Sequence, residues 1–160
     1  MTAPRTYLGM LLLLLLGTLP ASAQLERVVV MAEPGDIDCL PCAVTIELNV
    51  RKVEGVNKVA VSMSKQMVAI TFKEGARLRL KDYRDAIFKA EVRVAEMHAA
   101  MRGQIEQQGN EFYFVLGPDR FPIANPPKDL PVGKPVGIMA TMDDSTEPPT
   151  IRSIEDVKLL

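Results

Sequence analysis

Asp36-Ile37-Asp38-Cys39-Leu40-Pro41-Cys42 holds the only two cysteines in a chain of 160 residues. The stretch follows a β-branched run, Val28-Val29-Val30, and precedes a segment with helical spacing. Pro41 stands where a first helical turn tolerates proline, because the N–H it lacks would have no partner there. Two thiols three positions apart at a helix start suit two chemistries. They grip one soft metal ion, or they make and break a disulfide.

The residues on either side set the architecture. Residues 26–31 read as a strand, with Pro34-Gly35 as turn residues after it. Ala43, Ile46, Val50 and Val53 recur at helical spacing, and Gly55 is expected to end that helix. Val59, Val61 and Met63 alternate with other residues, as do Val68, Ile70 and Phe72. These are two strands joined through Ser64-Lys65-Gln66 as a hairpin. Leu80, Tyr83, Ile87 and Ala90 mark a second helix, and Val92 and Val94 open a further strand. The order is βαββαβ, a ferredoxin-like arrangement in an α+β chain. Residues 95–101 have strong helix propensity. The topology nevertheless wants a strand there, expected to end near Met97.

Proline placement divides the mature chain into two stretches. None lies between Cys42 and Gly117, whereas eight of the twelve lie from Pro118 to Pro149. Gly109-Asn110 is a hairpin signal between residues 104–108 and 111–116, and Phe112 and Phe114 share one face. Residues 121–123, 136–142 and 150–157 are further short strands. We expect a small all-β module over residues 101–160, a partly open barrel resembling an OB-fold. The alternative is an extended tail packed on the first domain.

At the N-terminus, Arg5, the apolar run of residues 8–19 and Ala21-Ser22-Ala23 have the form of a secretory signal peptide. The run is too short to span a bilayer, which takes roughly 20 residues. The expected organisation is therefore a leader over residues 1–23, a ferredoxin-like domain over 24–100 and the β-rich module over 101–160. Export places the protein in the periplasm or outside the cell, where a vicinal cysteine pair oxidises unless metal or a reductant holds it.

Nineteen basic residues against twenty acidic ones leave no basic patch of the kind nucleic acid requires. Two cysteines are too few for a disulfide-stapled scaffold. No Ser-His-Asp set, phosphate-binding glycine loop or histidine metal cluster stands out, so the chain does not read as an enzyme.

Residues 26–97 resemble the heavy-metal-associated domain, the module of copper chaperones, metal-pumping ATPases and the periplasmic mercury-binding protein. The resemblance rests on Cys39-x-x-Cys42 between the first strand and helix, on Gly55-Val56 thirteen residues after Cys42, and on the βαββαβ order. It implies a metal carrier with Cys39 and Cys42 as ligands and a protein partner that exchanges the metal. Three positions depart from the family pattern. Asp36-Ile37 replaces its glycine-methionine, with Ile37 still able to plug the core. Asp38 precedes Cys39 where many copper-binding members carry threonine. Glu91-Val92 stands where a glycine-tyrosine pair is common.

A helix N-terminus presents unpaired N–H groups and a partial positive charge, both of which favour thiolate. Two thiolates suit Cu(I), the first choice here, and equally Hg(II). A carboxylate from Asp38 adds a harder third ligand that favours Zn(II), Cd(II) or Pb(II). The other reading of Asp38 is a helix cap or solvated loop acid. Met97, His98 and Met101 form Met-His-x-x-Met, a candidate second soft site, although methionines more often fill cores. The acidic stretch 143–147 lacks the spacing of a calcium loop and reads as a solvated turn.

Two other functions fit the same cysteines. Cys-x-Pro-Cys is a familiar form in thioredoxin-like oxidoreductases, but the proline that faces the thiols in that fold has no candidate before Pro118. A non-enzymatic accessory subunit of a larger exported complex is the third reading.

Overall fold

The computed structural model describes residues 23–160. The expected leader lies outside the described residues, save Ala23. The elements run β1 (Gln24–Ala32), α1 (Leu40–Arg51), β2 (Val56–Ser62), β3 (Met67–Phe72), α2 (Leu80–Phe88), β4 (Val94–Gln108), β5 (Glu111–Leu116), β6 (Asp119–Pro122), β7 (Pro135–Asp143) and β8 (Thr150–Leu159). Among the described residues no helix is long and apolar enough to cross a membrane.

The first six elements build the expected βαββαβ unit. Its strands lie in the order β2-β3-β1-β4, each neighbouring pair antiparallel. Period-two alternation places Val28, Val30, Val68 and Ile70 on the face that the helices cover. Onto that face α1 buries Ala43, Ile46 and Val50, and α2 buries Leu80, Tyr83, Ala86 and Ile87. Tyr83 is fully buried, its ring 5.7 Å from that of Phe72, and burial pushes its hydroxyl pKa well up. The alternate positions, with Val29, Met31, Met67 and His98, point to the other face and are half-buried.

The helix α1 ends at Arg51, not at Gly55 as the spacing predicts. Lys52 and Val53 donate back into its last turn, and Val53 packs on the core from outside the helix. Gly55 instead turns the chain into β2. Its φ is +83°, and a Cβ there would lie 2.8 Å from the Ala76 Cβ, so the position excludes a side chain twice over.

The largest departure from expectation is β4. The strand does not end near Met97 but runs 15 residues to Gln108. Its buried positions alternate without a break through Met97, Ala99, Met101, Gly103 and Ile105. Helix propensity over residues 95–101 loses because β1 and β7 bracket this segment on both edges, pairing residues 94–102 and 97–104 respectively. Beyond β1, residues 104–108 of β4 pair with β5 across the expected Gly109-Asn110 hairpin. Gly103 sits at this changeover. A Cβ there would lie 2.1 Å from the Val115 carbonyl oxygen and 2.9 Å from the Phe114 ring.

The β-rich remainder therefore extends the first sheet to eight strands, and no OB-like module stands apart from it. The pairings run β4-β5-β6 on one side and β4-β7-β8 on the other. One parallel bridge, Ile123 with Ile151, joins the end of β6 to β8. Leu25, Met101, Ile105, Phe114, Ile138 and Ile151 belong to the same buried cluster as the helix-side residues, so one core serves both halves. Two arginine clasps add to it. Arg84 on α2 binds Asp144 in the β7–β8 loop at 2.5 and 2.8 Å and also donates to the Val94 carbonyl. Arg77 pairs with Asp119 at the start of β6. The acidic stretch expected as a solvated turn is thus tied down at Asp144.

Candidate metal centre

Between β1 and α1 the chain turns at Gly35 and then drops Ile37 into the core, 1% exposed. Ile37 plugs the core as expected and anchors the loop two residues before the first cysteine. Gln66, in the β2–β3 turn, fixes that anchor with its side-chain amide. Its Oε1 accepts from the Ile37 N–H at 2.9 Å, and its Nε2 donates to the Ile37 carbonyl at 3.0 Å and to the Met63 carbonyl at 2.6 Å. Gln66 itself holds a left-handed backbone, φ +50°.

Arg93 clamps the other side of the loop. Its guanidinium makes a two-point contact with Asp36 at 2.8 and 3.0 Å, and its backbone N–H donates to the same carboxylate at 2.9 Å. These hydrogen bonds hold the Asp36 carboxyl below the usual carboxylate range. Sequence reasoning missed Gln66 and Arg93. They lie 29 and 57 residues from their loop partners, and an isolated glutamine or arginine carries no motif.

From this platform the cysteines enter the first turn of α1. Cys39 is the N-cap, in an extended conformation, and its Sγ accepts from the Cys42 N–H at 3.0 Å. A sulfur takes the place of the usual serine or aspartate oxygen. Asp38 is therefore not the helix cap. Its exposed carboxylate lies beside the cysteines instead, with Oδ1 3.8 Å from the Cys42 Sγ. Cys39 and Cys42 are joined as a disulfide, with Cα atoms 5.2 Å apart. The donor atoms of Asp38, Cys39 and Cys42 lie within 4.8 Å of one another, and both cysteines are half-exposed.

The donor set fits a soft ion once the disulfide is reduced. Two thiolates on an ion with bonds of about 2.3 Å sit at most about 4.6 Å apart. Cysteines adjacent on one helix turn reach that separation by side-chain rotation alone. The N–H already aimed at the Cys39 sulfur and the helix dipole both favour negative charge there. As a disulfide the pair has no thiolate to offer, so the redox state of these sulfurs gates any metal chemistry.

The Met-His-x-x-Met site does not form. Met97 and Met101 are 1% and 0% exposed in the core, whereas His98 points to the opposite face. Strand alternation, unlike a helix, sends His98 away from both methionines. Glu91, in place of the family glycine, takes φ +61° just past α2.

No protein-family model matches this chain, and no curated protein matches it. Solved structures that it resembles over its N-terminal part include heavy-metal-associated domains. Oxidised MerP from Ralstonia metallidurans CH34 is 27% identical, over 46% of this chain and 96% of that one, at a TM-score of 0.38. The N-terminal domain of a potential copper-translocating P-type ATPase from Bacillus subtilis, in its Cu(I)-loaded state, is 22% identical over 44% and 85%, also at 0.38. The apo HMA domain of the copper chaperone for superoxide dismutase is 16% identical over 46% and 68%, at 0.36.

Proposed function

We propose that this protein is an exported, non-enzymatic carrier of a soft metal ion. It holds the ion through Cys39 and Cys42, with Asp38 as an optional third ligand. The observation that carries this reading is the meeting of these three side chains at the first turn of α1. A rigid platform of Ile37, Gln66 and Arg93 supports them, and they are open to solvent on their outer side. Two or three ligands on an exposed turn leave coordination positions free, which suits handing the ion to a protein partner by ligand exchange.

Loading needs the disulfide opened first by a dithiol reductant, which leaves as its own disulfide while Cys39 and Cys42 each gain a proton. Metal binding then displaces the thiol protons, so apparent affinity rises with pH. Cu(I) is the first cargo because two thiolates satisfy it. Zn(II), Cd(II), Pb(II) and Hg(II) come after it, the first three helped by Asp38.

The test is Cu(I) and Zn(II) competition on protein reduced under anaerobic conditions. Replacing either Cys39 or Cys42 by serine removes the tightly bound equivalent held at this site. Asp38→Thr weakens Zn(II) far more than Cu(I). Equal capture of every ion by the double-serine variant C39S/C42S and the native protein at this site would sink the reading. Export is checked by the N-terminal sequence of the mature chain, expected to begin at Gln24.

A second reading, thiol–disulfide exchange, draws on the disulfide itself. It requires a reversible couple that reacts rapidly with small dithiols, and a carrier has no need of one.

A further inference from the structure

The edge strand β8 carries an extra residue opposite β7. The ladder pairs Met139 with Asp156 and Ala140 with Ile154, which leaves Glu155 without a direct partner, at a β-bulge. A bulge breaks the ladder locally and re-aims a side chain. Here it turns the Glu155 carboxylate back across β7. Its Oε1 accepts from the Thr141 hydroxyl at 2.7 Å and meets His98 Nδ1 on β4 at 2.6 Å. Thr141 is the one buried polar residue among the described residues, and it stands directly opposite His98 in the register of β4 and β7. The strand β8 also bridges to residue Ile123 through Ile151, but from Ser153 onward β7 alone pairs with it.

The second ring nitrogen is engaged as well. Nε2 of His98 lies 3.1 Å from Glu96 Oε2. An ionised carboxylate only accepts hydrogen bonds, whereas a neutral imidazole offers one N–H and one lone pair. Two carboxylates on one ring are therefore both satisfied only by the imidazolium, which donates from both nitrogens. Those bonds are charge-assisted, roughly twice as strong as neutral ones. Hydrogen bonds from Thr141 and then from His98 hold the Glu155 carboxyl below its ordinary range. The other charges on this face lie farther along it. Asp143 accepts from Ser145 and lies 3.9 Å from Arg152, Asp156 pairs with Lys158, and Arg102 pairs with Glu26. Arg27 on β1, opposite Ala100, is the exposed diagonal neighbour of the ring. Both helices pack on the opposite face.

We propose that Glu96, His98, Thr141 and Glu155 form a proton-operated latch that fastens the bulged edge strand β8 to β4. The latch is closed while the ring is doubly protonated. Loss of one ring proton leaves a lone pair facing a carboxylate. The remaining proton stays on Nδ1, between Glu155 and Thr141, so Glu96 is set free. The bond to Glu155 weakens to that of a neutral donor, and β8 beyond Ile151 opens more often. Histidine is the side chain that changes charge between about pH 5 and 8. The contribution of the latch is therefore present at the acid end of that range and fades toward the alkaline end. At far lower pH it fades again, as pH falls through the depressed Glu155 value and that carboxylate gains a proton. The latch uses no part of the cysteine reading, and the two fail separately.

His98 is the only histidine in the chain, so its ring signals are unambiguous. The experiment follows the full, disulfide-intact chain at about pH 5 and about pH 8, by long-range proton–nitrogen NMR of the ring and by amide hydrogen exchange corrected for intrinsic rates. Both ring nitrogens carry hydrogen at the lower pH, and Nδ1 alone does at the higher. Between the two, protection of the β8 amides after Ile151 falls about fivefold more than that of the β5 amides, which share the sheet but not the latch. His98→Gln shows the weakened β8 already at the lower pH and no further loss at the higher. Glu155→Gln fits the same bulge on the edge strand, so it decides the matter even if His98→Gln disturbs the sheet. Its amide accepts from the charged ring or donates to the neutral one, which cuts the extra fall to about twofold or less. A ring with a single N–H at the lower pH, β8 protection that falls no more than that of β5, or an undiminished fall in Glu155→Gln overturns the proposal.

Discussion

Gln66 is the residue whose replacement tests the platform most directly. Gln66→Ala removes three side-chain hydrogen bonds, two to the Ile37 backbone and one to the Met63 carbonyl. Each is worth about 0.5–1.5 kcal/mol net, and water replaces part of what is lost at this half-buried turn. The expected cost is about 2–3 kcal/mol. Alanine and glutamine suffer equally from the left-handed backbone, φ +50°, so that strain cancels in the comparison. Gln66→Gly removes the same bonds but relieves the strain, and should be about 1 kcal/mol more stable than Gln66→Ala.

The assay is urea unfolding of the disulfide-intact protein, followed by far-ultraviolet circular dichroism. With a slope of about 2 kcal/mol per molar, the midpoint of Gln66→Ala falls by roughly 1 M. The glycine variant recovers about half a molar of that. A midpoint unchanged in Gln66→Ala, or a glycine variant weaker than the alanine one, would refute the reasoning. In the reduced protein the alanine variant should also lose metal several-fold faster, because the anchor at Ile37 lies two residues before Cys39.

The geometry sets three further outcomes. Glu91→Gly should stabilise the chain by about 1 kcal/mol, since only glycine adopts φ +61° without strain, and thermal melting reads the gain. Gly103→Ala should cost about 3 kcal/mol or more, because the new methyl group meets the Val115 carbonyl and the Phe114 ring at the β1-to-β5 changeover; urea midpoints measure it. Asp36→Asn should flatten the acid limb of stability. The Asp36 carboxyl is held below its ordinary value by Arg93, so its contribution is complete above the unfolded value near pH 4 and fades as pH falls through the folded one. The variant is therefore less stable than native at pH 7, and the two converge toward pH 2 in denaturant titrations.

Much of the N-terminal half was legible in the sequence. Ala43, Ile46 and Val50 announce a helix, and Val68, Ile70 and Phe72 a strand, because each set repeats at the period of its element. The helix end was misplaced by four residues because Gly55 signals a turn without saying which one. Candidate ligands Cys39 and Cys42 were legible from their spacing alone. That Asp38 is not the helix cap was not legible, because a carboxylate before a helix can cap it until the cap is seen to be sulfur.

The sequence by itself determined the elements, their order and the cysteine turn, all of which rest on local periodicity and on backbone chemistry within a few residues. Only the tertiary structure decided the path of β4. Strand pairing on both edges outweighs helix propensity, and no local signal reports a partner strand distant in the chain. The same holds for Gln66 and Arg93 beneath the cysteine loop. Residues remote in the chain become neighbours only when strands come into register, and register is a property of the assembled sheet.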